Sequence, residues 1–158
     1  MTYVSASAVD PQSFTSVGLG FRVDKTSATL PASTTQNLFT VSGGRVLIKC
    51  LLGEVTTVIQ AQATTLKVTA APTVGTAVDL SSTVDINAKE AGTLLIAECD
   101  GTALIAANAG AAMSGIGEPF AIVNTGVIRI VTGATSTGAT KWTLWYVPLD
   151  EGATVVSA

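Results

Sequence analysis

Every apolar run in this chain is short, and each is closed by a residue that breaks regular structure. Val127-Ile128-Arg129-Ile130-Val131 is framed by Gly126 and Gly133, and Lys141-Trp142-Thr143-Leu144-Trp145-Tyr146-Val147 is stopped by Pro148. Arg45-Val46-Leu47-Ile48-Lys49-Cys50-Leu51-Leu52 runs from Gly44 to Gly53. β-Branched and aromatic residues fit a pleated surface, and Gly, Pro, Asn and Ser clusters mark the turns between such runs. No run carries the amphipathic stripe of a long helix, and no alternation of strand and helix suggests a parallel sheet. Eight to ten short strands are expected, in an all-β chain built as an antiparallel β-sandwich of jelly-roll type.

Side chains alternate across a strand. In the run to Val147 this puts Trp142, Leu144 and Tyr146 on one face, and Lys141, Thr143, Trp145 and Val147 on the other. The first set is expected in the core. The runs before and after Gly133 read as two antiparallel strands of one hairpin. Leu66 and Val68 are expected inward in Thr64 to Thr69. In the run from Arg45, Val46, Ile48, Cys50 and Leu52 share the expected core face, and Gly53 reads as a bulge or bend. Phe21 to Val23, Leu38 to Val41, Thr76 to Leu80, Val84 to Asn87, Thr93 to Glu98 and Phe120 to Val123 are shorter strand candidates. Ala103 to Ala112 is the one helix-permissive stretch, bounded by glycines and read as loop. Residues 1–20 show no sustained period and form an extended arm ahead of a single sandwich domain at 21–158.

Charged residues are only 12% of the 158, so the surface must be covered largely by Thr, Ser, Ala, Gly, Asn and Gln. The net charge of −3 and the scattered basic residues argue against a nucleic-acid partner. No apolar run approaches the roughly 20 residues that span a bilayer, so no membrane partner is expected. The N-terminus lacks the basic and apolar regions of a secretory leader. Cys50 and Cys99 belong to no paired motif and are expected to be free, buried thiols.

Histidine is absent. That removes the commonest general base, the Ser–His and Cys–His nucleophile pairs and most zinc sites. The carboxylates are scattered, and Gly43-Gly44-Arg45 and Gly115-Ile116-Gly117 match no phosphate-binding fingerprint. No catalytic residue, metal site or cofactor is expected. Trp142, Trp145 and Tyr146 could stack a sugar if they shared an exposed face, although core packing is the commoner fate of such residues.

Several segments together resemble a family of small virion proteins of tailed bacteriophages, over about residues 30 to 158. These are Leu30-Pro31-Ala32-Ser33-Thr34-Thr35-Gln36-Asn37-Leu38-Phe39, Gly44 to Ile48, Gly53 to Gln60 and Pro72 to Leu80. The closing stretches Ser136 to Trp142 and Tyr146-Val147-Pro148-Leu149 complete the pattern. The resemblance implies a structural protein of the virion, a capsid decoration (cement) protein on the outer surface of the head. It implies the major capsid protein and other copies of itself as partners, commonly as a homotrimer, and synthesis in the host cytoplasm. In the arm, Tyr3, Val4, Val9, Phe14, Val17 and Leu19 are the expected capsid-contacting side chains. The rival expectation, from a different class, is a carbohydrate-binding or adhesin module of a phage fibre or cell surface.

Overall fold

A computed structural model describes residues 20–97, 99, 105–107 and 121–158. The expected capsid-contact residues Tyr3, Val4, Val9, Phe14, Val17 and Leu19 lie outside the described residues. Twelve strands and no helix are found among those described: β1 (Phe21–Thr29), β2 (Thr35–Ser42), β3 (Val46–Thr57), β4 (Thr65–Pro72), β5 (Val78–Asp79), β6 (Val84–Asp85), β7 (Leu94–Ala97), β8 (Ile105–Ala107), β9 (Ala121–Val123), β10 (Gly126–Thr132), β11 (Ala139–Pro148) and β12 (Thr154–Ser157). They form two six-stranded antiparallel sheets, the all-β sandwich expected from the strand rhythm. One sheet runs β1-β11-β3-β7-β8, with β9 also on β3. The other runs β12-β2-β10-β4-β5, with β6 also on β4.

The strand order is that of a jelly roll. Once the short strands β5 and β6 are taken as one position, the chain's successive strands lie β1-β11-β3-β7 in the first sheet and β2-β10-β4-β5/β6 in the second. Two expectations change with it. Strands β10 and β11 are consecutive but lie in opposite sheets, so they are not a hairpin. The segment from Gly133 to Gly138 carries the chain across the roughly 10 Å between packed sheets. Strand β12 was not expected; it pairs with β2 and places only Val155 inward. Strand β1 runs on to Thr29, past the three residues anticipated, and β8 falls inside the stretch read as loop.

The core between the sheets is closed. Phe39, Leu38, Ile48, Leu51, Leu66, Ile128, Ile130, Trp142 and Leu144 are all essentially inaccessible, and Tyr146 is buried at the margin. The inward sets Trp142/Leu144/Tyr146, Leu66/Val68 and Val46/Ile48 fall where alternation puts them. The alternation of β3 does not continue to Cys50 and Leu52. Tyr146 pairs with Ile48 and Trp145 with Cys50, which leaves Lys49 unmatched. This β-bulge resets the phase, so Leu51, Gly53 and Val55 point inward while Cys50 and Leu52 face out. Neither Cys50 nor Cys99 is in a disulfide, as expected, but each is half-buried.

Gly53 is neither bulge nor bend. It sits opposite Trp142, where an added Cβ would lie 2.8 Å from Trp142 Cζ3. The bare backbone makes room for the indole, whose Nε1 donates to Thr140 Oγ1 at 3.0 Å. The strand passes straight through. Gly53→Ala is therefore expected to destabilise the fold by about 1–3 kcal/mol through overpacking. Trp142→Ala should cost about 3–5 kcal/mol through the cavity it leaves. The Gly53→Ala cost should shrink in a Trp142→Leu background, as read from urea unfolding of the four proteins in the cycle.

Candidate interaction surface

Pairing registers assign each side chain of the β1-β11-β3-β7 sheet to a face. Residues opposite one another share a face, so four rows can be followed across its outside. The first joins Val147, Leu47 and Ile122; the second Arg22, Trp145 and Cys50; the third Asp24, Thr143, Leu52 and Ile96; the fourth Lys141, Glu54 and Leu94. Leu149, two positions beyond Val147, extends the first row. Ile122 is 63% exposed and Leu149 43%, while the other apolar members are half-buried among their neighbours. The outside of this sheet is thus largely apolar. The outside of the opposite sheet is more polar. There Arg129 Nε donates to Thr69 Oγ1 at 3.1 Å, and Lys67 pairs with Asp79 at 2.7 Å, beside Val127 and Val131.

The charges on the apolar side are satisfied within it. Arg22 pairs with Asp24 at 3.0 Å, and Thr143 Oγ1 donates to the same carboxylate at 2.7 Å. The Arg22 guanidinium lies 5.7 Å from the centre of a Trp145 ring, within cation–π range. Lys141 pairs with Glu54 at 2.9 Å. Trp145 Nε1 is buried and has no hydrogen-bond partner. Of the three aromatic residues considered for sugar stacking, Trp142 and Tyr146 are in the core and Trp145 lies outside. They do not form one platform.

Asp24, Glu54, Asp79 and Asp150 are each held by a cation. Asp85 accepts from the Asn87 amide at 2.9 Å. No group of three potential metal ligands occurs among the described residues. Burial pushes the Cys50 thiol up from its ordinary value, which disfavours the nucleophilic thiolate. No helix among the described residues is long and apolar enough to cross a membrane.

Below the apolar rows, Asp150 closes the end of the sandwich. Its Oδ2 accepts from the Arg45 amide at 2.7 Å and from Arg45 Nε at 2.9 Å, and its Oδ1 accepts from Nη2 at 2.7 Å. The loop after β11 is thereby tied to the start of β3, reinforced by the Leu149 amide donating to the Arg45 carbonyl at 3.0 Å. The hydrogen bonds from Arg45 hold the Asp150 carboxyl down at about 2. Sequence reading missed this clasp, because Asp150 looked like one more tail charge. Only the pairing of β3 with β11 brings it to Arg45.

No protein-family model, no curated protein and no solved structure matches the chain.

A carboxyl titrating lower when folded than unfolded stabilises the fold above its ordinary value near 3.8, and that contribution is lost as pH falls through about 2. Asp150→Asn should therefore lower the melting temperature at neutral pH, and the difference from wild type should vanish as the pH approaches the folded value. Thermal melts across an acid series measure this. For the thiol, a Cys99→Ser protein should react slowly with a neutral alkylating reagent at neutral pH, speeding up only above the ordinary thiol value of 9.0. Stopped-flow or mass-shift kinetics on folded and unfolded samples test it.

Proposed function

We propose that this chain is a non-enzymatic structural protein of a tailed-phage virion, a decoration (cement) protein that binds the outside of the head and stabilises it. One observation carries this reading: a sandwich with one largely apolar outer face, whose charges are paired internally, at 12% charged residues overall. Such a surface is poorly protected against association and suits a protein that works inside an assembly. The sequence resemblance over about residues 30 to 158 supplies the virion context.

The partners in this reading are the major capsid protein and further copies of the chain in a closed homo-oligomer, three being the number the resemblance implies. Shell attachment is assigned to the segment before Gly20, with Tyr3, Val4, Val9, Phe14, Val17 and Leu19 as its apolar contacts. Ordering a segment costs roughly 1–2 kcal/mol per residue, which offsets much of what burying those side chains contributes. Several copies engaging at once would make the attachment firm. The aromatic residues favour this reading over a carbohydrate-binding module, since Trp142 and Tyr146 are occupied in the core.

Expanded heads lacking their decoration protein provide the test. The purified protein should co-sediment with them to saturation and raise the temperature at which they fall apart. Deleting residues 2–18 should leave the sandwich folded by circular dichroism but weaken head binding strongly. No binding to heads, together with retention on a glycan array, would overturn the proposal in favour of the carbohydrate-binding class.

A further inference from the structure

We infer that the apolar outer face of the β1-β11-β3-β7 sheet, around Leu47, Leu52, Ile96, Ile122, Trp145 and Val147, is the surface on which a second copy of this chain sits. The inference deepens the self-association part of the reading above and rests on it; it is independent of attachment to a head.

Charge selects the occupant. Two of the chain's ion pairs lie on this face, Arg22 with Asp24 and Lys141 with Glu54, and each is closed within the face. Nothing there calls for a polyanion, as a nucleic acid or an acidic membrane surface would require. Lys49, at the bulge of the central strand β3, is a further charge on this sheet. A mainly apolar face whose ion pairs are closed within it fits a partner that is itself poor in charge, and this chain, at 12% charged residues, meets that description.

Shape and size point the same way. Four strands about 4.8 Å apart, followed from Lys141 to Leu149 at about 3.3 Å per residue, give a footprint of roughly 19 by 27 Å. That is about 500 Å² on each partner, in the class of smaller interfaces that bury less than about 1,200 Å² in total. The face is a sheet surface and not a concavity of the kind that encloses small molecules. Ile122, at 63% exposure, is its most accessible large side chain. Interface cores are apolar with charges mostly at the margin, and the two ion pairs here follow that arrangement: Arg22 and Asp24 lie on strand β1, and Lys141 and Glu54 at the end of the rows, with Lys49 at the bulge of β3 the exception.

Light scattering of the purified protein at micromolar concentration, with no heads present, is the experiment. The wild type should scatter as a multimer. Ile122→Lys should drop the mass to that of one chain, 15.9 kDa, with an unchanged far-UV spectrum. The exposed position makes misfolding of this variant a small risk. If it does misfold, alkylating Cys50 in a folded Cys99→Ser protein, which adds bulk to the same face, should also shift the mass to one chain. Val156→Lys, 53% exposed on the opposite sheet, should leave the multimer intact. A multimeric wild type that Ile122→Lys and the Cys50 adduct both leave unchanged overturns this inference alone. A monomeric wild type overturns the self-association reading as well. In that monomer, weaker head binding by Ile122→Lys would assign the face to the shell. Greater alkylation of Cys50 on deletion of residues 2–18 would assign it to the chain's own N-terminal segment.

Discussion

The unmatched residue at Lys49 decides what the rest of the first sheet can be. Strand β3 is the centre of that sheet, with β11 on one side and β7 and β9 on the other. Without the bulge, Ile48 inward would force Cys50, Leu52 and Glu54 inward too, and a carboxylate would enter the core. With it, Leu51, Gly53 and Val55 take the inward places, and Glu54 reaches Lys141 on the outside. The bulge also leaves Gly53 facing Trp142, where the missing Cβ gives the indole room. Core packing and the apolar outer face therefore have a common origin.

The alternation was legible wherever a strand was uninterrupted. Trp142, Leu144 and Tyr146 inward, and Trp145 and Val147 outward, follow from period two alone. Cys50 and Leu52 were misplaced because a bulge is a relation between two strands, and nothing in β3 by itself marks Lys49. The same limit explains β10 and β11. Each has the composition of a buried strand, but composition does not say which sheet receives it, and a six-residue connection can turn back or cross over. Strand β12 escaped notice because it is four residues long with a single inward side chain. That the two cysteines form no disulfide was readable from their spacing. The half-buried setting of Cys50 was not, since it follows from the reset phase.

The two sheets divide the labour of the surface. One outer face carries Thr, Arg, Lys and Asp in mutual contact and suits solvent. The other carries aliphatic side chains with its two ion pairs drawn to the margin. The division is reinforced at the open side of the sandwich, where edge strands β1 and β12 meet and Lys25 Nζ donates to the carbonyl oxygen of Ala158. A lysine on an edge strand also discourages further strands from adding there. Association is thus steered away from an edge and toward a face.

The jelly-roll order has a consequence in time. Among the described residues strand β1 finds its one sheet partner in β11, and the contact between Asp24 and Thr143 joins positions 119 apart. Closing so large a loop must precede any reward from the pairing, so chains of this kind fold on the slower, millisecond-to-second scale. During synthesis β3 emerges long before β11, and its neighbouring edge stands open until β11 has left the ribosome. For that interval the sequence has to resist aggregation with half of its central sheet unpaired. Lys49 and Glu54, spaced along β3, are the charges placed to protect it.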